Sequence, residues 1–295
     1  MKRIDFFKKA FVGTLGIKTS ISIPPLLNNS NNKWNIKTSL NAYSFNSYLE
    51  NGQMNLDGLI DYCSRLPFDA IDTTGYYFPG YPDVPDDKYI YHIKQKAFKN
   101  GLAISGTGIR NNFTDPDPKE RAKDIELIKN WIEVASKLGA PVIRVFAGRG
   151  TPDGYNREEI NSWIVDALKE CVEYGKEHGV MIGMQNHNEY LKNADQVLEI
   201  IKLVDSDWFG MVLDVGSFAT DDPYTDISRV APHAVNWQIK ENLGYKDRVV
   251  KTDLRKIVDI LKDINYRGYI PIETLGGDPK VKVPKFLNQV ITALG

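Results

Sequence analysis

The apolar positions of this chain fall into short runs separated by longer segments of helical periodicity. Residues 36–42, 68–73, 102–107, 142–146, 180–185, 211–214, 234–239 and 269–273 read as strands. Helices are predicted between them. Asn55 opens one over 56–65, and another runs 87–99 with Gly101 as its stop. Asp117 caps a third, with Pro118 in its first turn, Ile125, Ile128, Ile132, Ala135 and Leu138 on one face, and Gly139 as terminator. Others are predicted over 157–178, after Asn193, near 224–230, from Asp253 to about 264, and within 279–294. Eight strand–helix repeats predict an α/β chain with one (β/α)8 TIM barrel over 34–295. A doubly wound open sheet would carry a Gly-rich turn after its first strand, and residues 41–46 hold no glycine.

Side chains alternate along a strand. If Gln238 faces the barrel lumen, Trp237 beside it packs outward, yet its place at the rim keeps it among the candidate substrate contacts. Gly183, inward, suits a crowded interior.

Four of the runs end on a polar side chain: Gln185, Asp214, Gln238 and Glu273, at intervals of 29, 24 and 35 residues. Every strand of a parallel barrel points its C-terminal end at one rim, so these four are expected to converge on one pocket. Two are carboxylates and two are amides. The aromatic segment 74–81 after the second strand, including Tyr77, forms a wall of a sugar site or a packed loop. Arg110 and Arg144 are candidates to hold an anionic group, although the glycine spacing and lysine of a phosphate loop are missing.

Composition narrows the partners. With 37 basic and 38 acidic residues the net charge is −1, so no basic excess exists to neutralise nucleic-acid phosphates. No run is long enough to span a bilayer. Cys63 and Cys171 fall in different predicted helices and are expected to be separate thiols. Trp131 and Trp163 lie on outward helical faces, where they pack on helices or meet a second chain; an oligomer stays open.

Residues 1–33 differ from the rest. Lys2, Arg3, Lys8 and Lys9 make a basic start, an apolar patch follows over 10–17, and an Asn-rich tract ends the segment. This is the layout of an export leader and flexible tail. Residues 3–8 look like a twin-arginine signal with Ile4 in place of the second arginine. The expectation is export to the periplasm; the alternative is a cytoplasmic protein with a tail.

The segments Ile182-Gly183-Met184-Gln185-Asn186-His187, Leu213-Asp214-Val215-Gly216, Trp237-Gln238-Ile239-Lys240-Glu241 and Ile270-Pro271-Ile272-Glu273, with the first and fourth strand ends, resemble the xylose isomerase-like barrel superfamily. That resemblance implies sugar isomerase or epimerase chemistry on a small-molecule carbohydrate. It implies a divalent metal (Mg, Mn or Ca) held at the positions of Gln185, Asp214, Gln238 and Glu273, where its isomerase members hold Glu, Asp, His and Glu. Asn41, Tyr43, Tyr77, Arg110, Arg144 and Trp237 are the candidate substrate contacts. The cation would acidify a C–H next to a carbonyl, and two glutamates would exchange the proton. Gln185 cannot accept a proton at neutral pH, so Glu273 is the expected main base, with Lys240 or His187 as second acid/base in a proton shift or an elimination. The competing expectation is a non-catalytic carbohydrate-binding barrel, its site degenerate at Gln185 and Gln238. A metal-dependent phosphodiesterase is disfavoured by four histidines in all and by the charge balance.

Overall fold

A computed structural model describes residues 36–187 and 189–295. The leader expected for 1–33 lies outside them. Eight parallel strands close into a ring. β1 (Lys37–Asn41) pairs β2 (Ala70–Asp72) on one edge and β10 (Tyr269–Glu273) on the other. From β10 the circuit passes through β7 (Ala234–Lys240), β6 (Phe209–Asp214), β5 (Met181–Gln185), β4 (Val142–Phe146) and β3 (Ala103–Gly108) back to β2. With β1 paired on both sides the sheet is closed, so the fold is the (β/α)8 barrel and not the doubly wound sheet.

Local chemistry explains where the helices begin. Asn55 accepts the backbone N–H of Gly58, and Asn193 accepts that of Gln196. Asn156 and Glu159 form a reciprocal capping box. Asp117 accepts from Lys119 ahead of Pro118, and Gly139 ends that helix in the left-handed conformation at φ 79°. The apolar stripe read on this helix packs inward, with Ile128, Ile132, Ala135 and Leu138 buried.

The barrel interior is crowded, as the inward glycines require. A Cβ on Gly183 would sit 2.6 Å from Val212 Cγ2 and 2.9 Å from Val142 Cγ1. Cys63 and Cys171 are separate buried thiols. Trp131 is not on an outward face: it is fully buried against Phe78 and Tyr81, and its indole N–H donates to the Pro82 carbonyl at 3.0 Å. Trp163 packs edge-on to Tyr155 and under the Arg121 guanidinium within the same chain. Two features outside the ring were not anticipated. A short helix, Asn46–Glu50, follows β1, and an antiparallel hairpin, β8 (Asn242–Gly244) with β9 (Val249–Lys251), follows β7. No helix among the described residues is long and apolar enough to cross a membrane.

Candidate active site

The strand C-termini surround a cavity of about 340 Å³. That lies at the small end of ligand cavities, roughly 300–1,000 Å³, and suits a monosaccharide-sized guest. Most residues singled out from the sequence line it: Asn41, Tyr43, Arg110, Arg144, Gln185, His187, Gln238, Lys240 and Glu273.

Its floor is a network of five side chains. The register sets Asp214 opposite Gln238 and Lys240 opposite Glu273. Asp214 lies beneath the cavity, fully buried. Its Oδ1 accepts the Gly216 N–H at 2.9 Å, and its Oδ2 accepts the Gln185 Nε2–H at 2.8 Å and faces Lys240 Nζ at 3.0 Å. The same Gln185 Nε2 donates to Gln238 Oε1 at 2.8 Å. Lys240 Nζ donates to Glu273 Oε1 at 2.7 Å. No hydrogen bond among the described residues engages Glu273 Oε2. Burial pushes the Glu273 carboxyl above the usual carboxylate range, with Lys240 opposing the shift. Burial disfavours the charge on Lys240, but Asp214 and Glu273 outweigh it and hold the ammonium protonated.

These donors do not form the expected metal centre. A carboxylate only accepts, so the Gln185 group facing Asp214 is its NH2 and not its oxygen. Both Asp214 oxygens are committed, and a lysine ammonium contacts both carboxylates. Among the described residues no group of three or more His, Cys, Asp or Glu side chains converges to hold an ion.

His187 lines the cavity just beyond β5, edge-on to Phe146; its Nδ1 makes no hydrogen bond among the described residues and lies 3.8 Å from Glu189 Oε2. Burial lowers its pKa and favours the neutral imidazole. Arg144 is less available than expected. It fills the space left by Gly108, where a Cβ would sit 2.9 Å from its Nε; it donates to the Ile109 carbonyl and the Tyr76 hydroxyl, and stacks on Phe146 at 4.2 Å. Arg110, exposed at the mouth, lies 4.3 Å over the Tyr76 ring.

Two expected substrate contacts lie elsewhere. Trp237 is fully buried behind the strands, edge-on to Tyr266, because alternation turns it away from the lumen that Gln238 faces. Tyr77 stands outside the lining and donates its hydroxyl proton to Asn46 Oδ1 at 2.7 Å. The 3-10 turn Gly75–Tyr77 rotates successive side chains by about a third of a turn, so Tyr76 takes the wall position. Asp72 was missed. It ends β2 as Glu273 ends β10, lines the cavity, and accepts the backbone and hydroxyl hydrogens of Thr74. Burial pushes its carboxyl up to about 6, against the opposing pull of Arg144 and of the Thr74 hydrogen bonds. The strand-end rule applied to the second strand would have found it.

Comparison with known proteins adds kinship. The family model described as xylose isomerase-like TIM barrel matches residues 60–288. A probable endonuclease 4 of Thermotoga sp. is 26% identical over 152 residues, 48% of this chain and 52% of the relative, so the match spans about half the length of that protein. The D-psicose 3-epimerase of Clostridium cellulolyticum H10, solved with D-tagatose, superposes with a TM-score of 0.72 at 18% identity, covering 88% of this chain and 99% of that one. The 3-keto-D-glucoside 4-epimerase YcjR of E. coli superposes at 0.68 with 14% identity, covering 81% and 94%. At these identities the two structures share the fold.

Proposed function

The chain belongs to the xylose isomerase-like TIM barrel family, and on that footing we propose that it is a sugar isomerase or epimerase, or a related lyase, that breaks a C–H bond next to a carbonyl. The observation that carries this reading is Glu273. It is a buried carboxylate facing a polar, monosaccharide-sized cavity, with one oxygen anchored by Lys240 and the other without a hydrogen bond among the described residues. A base needs a fixed position and a pKa drawn towards neutrality, and burial supplies both. Glu273 takes the proton. His187, three strands round the ring from β10 and neutral, carries a second proton where the product demands one; a shift on one face needs Glu273 alone. The neighbouring folds that act on free or keto sugars support a non-phosphorylated guest.

Incubation of candidate ketoses and keto-glycosides in D2O tests the reading, with exchange at the carbon next to the carbonyl followed by NMR. The wild-type protein is expected to wash in deuterium, and Glu273→Gln to lose about 10²- to 10⁴-fold of that rate. Binding of these sugars without any exchange would leave the site a carbohydrate-binding barrel whose proton-transfer machinery ended with Gln185.

A further inference from the structure

We propose that Lys240 takes the place and the duty of a divalent cation in this site, so that the proton transfer is metal-independent. The inference rests on the reading of Glu273 as the base. A buried pair of carboxylates needs a positive charge between them. Here the chain supplies it from its own β7: Lys240 Nζ stands 3.0 Å from Asp214 Oδ2 and 2.7 Å from Glu273 Oε1.

Three details show that the place was built for the lysine. Lys240 sits two residues beyond Gln238, on the lumen side of the strand, and its register partner is Glu273 itself. Its stem runs through a groove opened by Gly216, where a Cβ would lie 3.0 Å from Lys240 Cδ. The Gln185 amide is turned so that its NH2 joins Asp214 Oδ2 to Gln238 Oε1, which puts a donor at the Gln185 position where a metal would need an oxygen.

An ammonium has three hydrogens. Two are spent on Asp214 and Glu273, which leaves one for a substrate oxygen at the cavity floor. When Glu273 Oε2 takes the proton, the C–H pair becomes the C=C bond of an enediolate and the carbonyl π pair moves to oxygen. That oxyanion is held by the third N–H of Lys240. Return of the proton to the carbon it left restores the carbonyl; its delivery to the former carbonyl carbon is balanced by passage of the hydroxyl proton to the oxyanion, which moves the carbonyl to the neighbouring carbon, and no redox partner is required.

The test uses the full-length protein purified from metal-replete medium. Elemental analysis is expected to find far less than one transition metal or Mg²⁺ per chain. Calorimetric titration with Mn²⁺ is expected to show no saturable site in the wild type and one in Lys240→Ala. EDTA is expected to leave deuterium exchange unchanged, while Lys240→Ala loses about 10²- to 10³-fold, the usual effect of removing one oxyanion donor. A stoichiometric metal in the wild-type protein, saturable Mn²⁺ binding to it, or exchange that appears only with added metal would each overturn the proposal. The metal analysis and the wild-type titration need no variant to fold and no substrate to be known. Failure to find a sugar that exchanges therefore counts against the proposed reaction, and a bound metal counts against the lysine.

Discussion

Asp72 shows how burial at a strand end turns one carboxylate into a pH-dependent load on the fold. Its carboxyl is pushed up to about 6 from an unfolded value of 3.8, so the native state holds the proton more tightly than the unfolded chain does. The associated stability is present below the unfolded pKa and is lost as pH rises through the folded one. At about 1.4 kcal/mol per pKa unit the loss is on the order of 3 kcal/mol. Urea denaturation of wild type and Asp72→Asn between pH 4 and 7 is expected to show the wild type losing ground to the variant as pH rises; parallel curves would sink this account. The residue-scale chemistry was legible in part. Period-2 alternation set Gln238 towards the lumen with Trp237 turned outward, and Gly183 inward. The direction of the Gln185 amide was not legible. It depends on which neighbour reaches Asp214 first, and that is settled by three strands meeting in space.

At the scale of elements, two asparagines extend the strand pairing beyond its backbone ladder. Asn111, past β3, donates its Nδ2–H to the Phe146 carbonyl and accepts the Phe146 N–H, both at 2.8 Å. Asn186, past β5, makes the same pair with Asp214, at 2.9 and 2.8 Å. Each side-chain amide acts as a surrogate peptide at the rim, where the polypeptide leaves the sheet. Asn111→Ala strands a partly buried donor and acceptor of Phe146, so a loss of about 1–3 kcal/mol in unfolding free energy is expected, measured by urea titration. A change below about 0.5 kcal/mol would mean that water takes over both bonds. The helices were legible because their caps are local: Asn55, Asp117, Asn193 and Asp253 each bond a backbone N–H two or three residues ahead. The β8–β9 hairpin was not, since three-residue strands carry too little periodicity to stand out from a loop.

Across the whole molecule the ring is unevenly knitted. β4 and β5 share five register pairs, whereas β7 and β10 share two, Ile239 with Ile272 and Lys240 with Glu273. The eightfold repeat made closure legible from the chain, but the unevenness follows from where each strand bends away at the rim, which no periodicity encodes. It also gives the Lys240–Glu273 ion pair a second consequence, mechanical in kind. The bridge lies across one of the shortest seams of the barrel and works as its clasp. Local opening starts where few bonds must break together. Hydrogen–deuterium exchange is therefore expected to speed up at the amides of residues 239 and 272 in Lys240→Ala while those between β4 and β5 keep their protection. A uniform rise around the ring would show that the clasp holds nothing in particular. If the selective rise is seen, a guest that draws the ammonium towards itself also slackens the wall that encloses it, and admission of the guest and breathing of the barrel become one event.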